Sequence, residues 1–283
     1  MPQQKREQEQ IPSPALGTSV VLSLGILVLD YSVVLNEYPA ADTKQVATKQ
    51  ATAGGGNAAN TAVCVSRLGL PAQLMSKVAD DPAGQTLLQE LCEEGVDCTG
   101  TVQIATNGGR RQVQNGSVVS DDDSGRSTVT CFVLVAGDTR TIVSMPYSQR
   151  VLDLDPDWVE RQLLLADEDG NDLLSRVALL QLDGRHPAAA ARAARLARSR
   201  GVPVLVEAEL RSPGTMSNQG AELTELLSFA DYVVTSEAYP GAVTGLSDLS
   251  DALISIVQQY ANEFDCTYLL HLLFTSCPST GSK

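Results

Sequence analysis

The chain has 283 residues, 43% of them hydrophobic and 19% charged, with a formal net charge of -14 at pH 7. That apolar content is enough to offset chain entropy and excludes a disordered protein, and one large domain accommodates the length. The acidic balance repels polyphosphate backbones and excludes non-specific nucleic-acid binding, while a local pocket for one nucleotide stays open.

Residues 1–18 are polar, lack the apolar core of a secretory signal and read as a flexible tail, with an organellar transit peptide left open. The most apolar stretch, Val20 to Leu35, is interrupted by Asp30 and is short for a membrane span. Six scattered cysteines without zinc-like spacing point to reduced thiols inside the cell, in the cytoplasm.

In chain order, SVVLSLGILVL from Ser19 to Leu29 reads as one central strand covered on both faces, which puts Asp30 at its C-terminal end. Tyr31 to Thr52 reads as exposed strands or a loop outside the main sheet. Gly54-Gly55-Gly56-Asn57 then opens a helix of small residues, Ala58, Ala59 and Ala62 among them, that stops at Gly69. AQLMSKV is strand-like, and Asp80-Asp81-Pro82 is an acidic helix start with proline in its first turn. Between Thr99 and Met145 several strands are separated by polar turns, Asp121 to Gly125 being the clearest loop.

Beyond Met145 strands and helices alternate: VALLQL ending at Asp183, an alanine-rich helix after Pro187, VPVLVEA, a helix near Glu222 to Phe229, DYVVT, a helix over roughly Leu249 to Tyr260, and a strand starting in CTYLLHLLF. Such alternation demands crossover helices and a parallel sheet. The expectation is a three-layer α/β/α sandwich over residues 19–274, with a mostly parallel central sheet and a small β lid drawn from about 31–53 and 99–145. Residues 275–283 read as an irregular tail.

Open α/β sheets bind ligands at the carboxyl ends of their strands. Asp30, the loop Gly55 to Asn60 and Asp183 are all expected there, supplying carboxylate acceptors, backbone donors and side-chain amides, the groups that bind a polyol's vicinal hydroxyls. Asp30 and Asp183 as mere caps of helices or turns are the plainer alternative; their shared placement with the loop favours binding. A G-x-G-x-x-A pattern through Gly54, Gly56 and Ala59 suggests an NAD-dependent oxidoreductase, but it follows the polar ATKQATA instead of a buried strand. Asp80 and Asp81 read as helix caps, His186 as structural, Trp158 as helix packing, and Arg140 as an exposed strand arginine with a reach to ligand left open.

From about Val20 to about Tyr268 the sequence resembles the PfkB carbohydrate kinases of the ribokinase-like superfamily: Asp30 in LGILVLD, the GG-x-x-A-N signature as Gly55 through Asn60, a G-D-D-like element at Ala79-Asp80-Asp81, and Asp183 after LLQL. The resemblance implies that Asp30 orients a sugar or nucleoside hydroxyl, that Gly55, Gly56, Asn57 and Asn60 hold it, and that Asp183 adds a further contact. It also implies ATP as phosphoryl donor with Mg²⁺, a lid that closes over the acceptor, and a homodimer formed through that lid. Val28 stands where ribokinases often carry Asn, and Ser236-Glu237 stands at the nucleotide-side N-x-x-E motif with Glu237 displaced. No V-T-x-G-x-x-G follows Tyr268 and no D-T-x-G-A-G-D occurs, so the expectation is a truncated chain with no residue serving as catalytic base. The alternative to the enzyme is a non-catalytic sugar-binding or regulatory protein.

Overall fold

The β-branched and leucine-rich run at the start forms β1 (Val20–Leu24), and β2 (Val28–Leu35) follows after a three-residue break. The computed structural model describes residues 19–104, 127–145, 154–209, 219–263 and 268–269. The chain continues through β3 (Lys49–Gly55), α1 (Asn57–Arg67), β4 (Ala72–Met75), β5 (Lys77–Ala79), α2 (Pro82–Glu93), β6 (Val102–Ile104), β7 (Thr130–Ala136) and β8 (Thr139–Ser144). Then come α3 (Pro156–Leu164), β9 (Val177–Leu182), α4 (Pro187–Ser199), β10 (Val204–Ala208), α5 (Gln219–Leu227), β11 (Tyr232–Thr235), α6 (Ala238–Thr244), α7 (Leu249–Glu263) and β12 (Tyr268–Leu269). The expected loop at Asp121 to Gly125 and the terminal TSCPSTGSK lie outside the described residues.

Six strands form the main sheet in the order β12-β11-β10-β9-β1-β4, and every pair in it is parallel. Parallel strands need crossovers, and the helices that supply them bury the sheet as the middle of three layers. One layer is sealed by Leu22, Leu24, Leu180, Leu182, Val204 and Val206 against Trp158, Val159 and the alanines of α4. Ala189, Ala190, Ala193, Ala194 and Ala197 are fully buried, and their small side chains let α4 pack close to its neighbours. On the other side Ala58, Ala59 and Ala62 of α1 pack with Leu27, Leu74 and Leu87. No helix among the described residues is long and apolar enough to cross a membrane.

From β1 the chain steps to β4 on one side and later returns to β9 on the other, so the direction of winding reverses between β1 and β9. Such a switch point is where open α/β sheets generally bind ligands, beyond the carboxyl ends of the strands.

The expected single strand from Ser19 to Leu29 is corrected: the main-sheet strand ends at Leu24, and Asp30 is the third residue of β2 in a different sheet. Gly25 makes the break. A Cβ placed on it would stand 2.2 Å from the Asp183 carboxylate, and the next amide, Ile26 N, donates to Asp183 Oδ2 at 2.8 Å instead of to a strand neighbour. AQLMSKV divides similarly, into β4 and β5, with Ser76 between them donating its hydroxyl to Gly25 O at 2.7 Å.

The second sheet has the order β3-β2-β7-β8. Register places Asp30 beside Ala53 and Cys131, and Cys131 beside Ser144. These residues therefore share one face, while Tyr31 and Phe132, whose rings stand 5.6 Å apart, share the other with Val143. A third, two-stranded sheet joins β5 and β6. Asp81 caps α2, accepting from Gly84 N at 2.8 Å, and its carboxylate also takes Thr128 N and Thr128 Oγ1, which ties the helix start to the segment just before β7.

Candidate functional site

The start of α1 is where the two sheets meet. Gly56 adopts φ 97° as the residue before the helix, and a Cβ on it would lie 2.3 Å from Ile26 O. Only glycine allows both the left-handed conformation and that approach. Gly55 lies against Asp30, since a Cβ there would stand 2.4 Å from Asp30 Oδ2. The carboxylate from the small sheet and the glycine turn are thus brought into direct apposition.

Asp30 is half-buried and has no hydrogen-bond partner among the described residues. Burial pushes its carboxyl above the ordinary carboxylate range, and the positive charge of Arg140 on β8 partly opposes that. The expected exposed arginine therefore sits close enough to act on the site electrostatically. An acceptor-only carboxylate held partly away from water, with its lone pairs unused, suits a donor hydroxyl.

Asp183 is employed differently from the expectation of a ligand contact. It is buried, and it accepts from Ile26 N at 2.8 Å, Ala58 N at 3.3 Å and Arg185 N at 2.9 Å. Three backbone donors occupy most of what two carboxylate oxygens accept. It therefore ties the β1 turn, the α1 start and the β9 end together. Asn57 likewise turns inward, its Nδ2 donating to Glu207 Oε1 at 3.0 Å and Glu209 Oε2 at 3.3 Å. Asn60 is exposed and lines a groove of about 400 Å³ between α1 and α2 with Gly54, Leu87 and Glu90. Ser236 and Glu237 follow β11 on the same carboxyl edge, Ser236 N donating to Ala208 O and Glu237 standing exposed at the start of α6. His186 is buried, its Nδ1 accepting from Leu154 N, and Trp158 belongs to the core.

The model for the pfkB family of carbohydrate kinases matches residues 19–110, the segment that carries β1, Asp30 and the glycine turn. Fructokinase-1 of Zea mays is 29% identical over 254 residues, covering 85% of this chain and 67% of the maize protein. Over residues 19–110 the chain matches the pfkB carbohydrate kinases, and it is similar to them beyond that segment. A nucleoside kinase of Methanothermobacter thermautotrophicus is 33% identical over 85 residues, 30% of this chain and 28% of that protein. Among solved structures, the ribokinase of Arabidopsis thaliana, determined with ribose and ATP, superposes with a TM-score of 0.62 at 17% identity, covering 90% of this chain and 72% of that one. The chain has the ribokinase-like fold and spans from about a quarter to about two thirds of the length of these two curated relatives.

The residues missed from sequence are Glu207 and Glu209. Their signal was available: E-A-E closes the buried run VPVLVEAEL, putting two carboxylates with period two at a carboxyl strand end, the rule that singled out Asp183. Burial first, then the negative charges of Asp183 and Glu209, push Glu207 up to about 7, with Arg185 opposing.

That value lies above the ordinary 4.5, so the folded chain binds the proton more tightly than the unfolded chain does. The associated stability is present in full below pH 4.5 and is lost, by about 3 kcal/mol, as the pH rises through about 7. Urea unfolding of wild type and Glu207→Gln across pH 4.5 to 8 is expected to show this loss in the wild type and a flatter profile in the variant. Equal slopes would contradict it.

Proposed function

We propose that this chain carries the acceptor-binding cleft of an ATP-dependent phosphotransferase acting on a sugar or nucleoside hydroxyl. The observation that carries the reading is the Asp30 carboxylate, half-buried and without a partner among the described residues, set against Gly55 at the mouth of the sheet. A neutral hydroxyl donating to that carboxylate would be oriented and its oxygen held for transfer. The small sheet, which presents Asp30 and Cys131 on one face, is read as the lid that excludes competing water from the acceptor.

ATP with Mg²⁺ fits the other part of the carboxyl edge: the Ser236 hydroxyl and the exposed Glu237 carboxylate are oxygen donors of the kind a hydrated magnesium ion takes. When bound, this group supplies the transferable phosphoryl. This chain's own residues hold and orient the acceptor, and the role of accepting the hydroxyl proton is assigned to none of them. Pairing of two copies through the lid belongs to the same reading, supported by the solvent-facing Tyr31 and Phe132. A sedimentation run giving the mass of one copy at micromolar concentration would remove that part.

The test is ATP consumption with Mg²⁺ across a panel of pentoses, hexoses and nucleosides, alongside calorimetry with the same compounds. Consumption that depends on one acceptor supports the enzyme, and binding without consumption supports the non-catalytic alternative. A panel in which no polyhydroxylated compound binds overturns both.

A further inference from the structure

The start of α1 has no side-chain cap of its own: Gly56 precedes the helix and provides no hydrogen-bonding side chain. Its place is filled from far along the chain. Asp183 takes the Ala58 amide across 125 residues, and Glu207 and Glu209 take the Asn57 side chain across 150 and 152. An asparagine amide has two donor hydrogens, and here each has its own carboxylate. Nothing of that nitrogen is left for a ligand hydroxyl.

We propose that Glu207 and Glu209 are positioning residues, gripping the Asn57 amide and so fixing where α1 and the glycine turn before it stand over the carboxyl ends of β9 and β10. The two glutamates lie two residues apart, Glu207 within the end of β10 and Glu209 just past it, so in extended backbone both side chains project to the same face. Gly55 and Gly56 immediately precede Asn57, and Gly55 is the residue against which Asp30 rests. A displaced Asn57 therefore moves the turn relative to Asp30. That this steers an acceptor rests on the function proposed above; the grip itself does not.

The charged groups that face Glu207 are Asp183 and Arg185 beyond β9 and Glu209 beyond its own strand, while α1 presents the neutral Asn57 and β11 presents Val234 as register partner. A charged carboxylate accepts more strongly than a neutral one. Protonating Glu207 relieves repulsion from its two acidic neighbours and weakens its hold on Asn57. The Asn57 amide is consequently a direct reporter of the grip.

The experiment is nitrogen-15 NMR of the full chain, following the Asn57 side-chain amide from pH 5.5 to 8.5 in wild type, Glu207→Gln and Glu209→Gln. The resonance is expected to inflect near pH 7 in wild type, to keep the inflection in Glu209→Gln and to lose it in Glu207→Gln. In Glu207→Ala the backbone amides of Gly55, Gly56 and Ala58 are expected to shift, and in Glu207→Gln, whose Oε1 still accepts, to return to their wild-type positions. A flat wild-type Asn57 profile, an inflection that survives Glu207→Gln, or unmoved turn amides in Glu207→Ala each overturns the proposal. The measurement needs no acceptor, so it is decided separately from the proposed activity.

Discussion

Replacing Asp183 by alanine is expected to destabilise the fold by about 4 kcal/mol, because three backbone amides lose their acceptor in one step. Each of these buried or partly buried donors costs about 1–3 kcal/mol when left unmade, and water entering the space of the lost side chain recovers part of the total. The loss would appear as a lower urea midpoint with an unchanged slope. Asp183→Asn should be nearly as damaging, since its amide nitrogen would face an N–H donor on at least one side. If Asp183→Ala instead kept wild-type stability and lost only acceptor binding, the carboxylate would be a ligand contact and not the tie between β1, β9 and α1.

Asp30 is expected to behave in the opposite way. Asp30→Asn should weaken binding of the best acceptor in the panel about 100-fold, about 3 kcal/mol, through loss of charge-assisted hydrogen bonds. The unliganded protein should melt at the same temperature or higher, because burial already holds that carboxyl above its ordinary range and no described residue donates to it. A site that costs stability and returns binding is the expected signature of function. Calorimetry of acceptor binding together with a thermal melt decides it. Unchanged affinity with a depressed melting temperature would make Asp30 a structural residue.

The alternation of strands and helices was legible because VALLQL, VPVLVEA and DYVVT are short apolar runs whose flanking segments have helical character, and each forms its strand in the main parallel sheet. The break at Gly25 was not, because SVVLSLGILVL is apolar throughout and its interruption depends on Asp183, a partner 157 residues from Ile26. Similarly, the residue types in G-G-N-A-A-N pointed to a ligand loop, yet the direction of Asn57 depends on carboxylates at the carboxyl end of β10. Local pattern places a side chain at the edge of a sheet; which of several edge groups takes its hydrogen bonds is settled by tertiary contact. Asp81 was readable as a cap because its partner, Gly84 N, lies within the same turn.

Titrating the full chain with the best acceptor of the panel while observing backbone amides by NMR tests the assignment of the cleft most directly. The largest shifts are predicted at Gly55, Gly56 and Ala58, and they should vanish in Asp30→Asn. Shifts centred instead on Asn60, Glu90 and Arg67 would place the ligand in the groove between α1 and α2 and contradict the assignment.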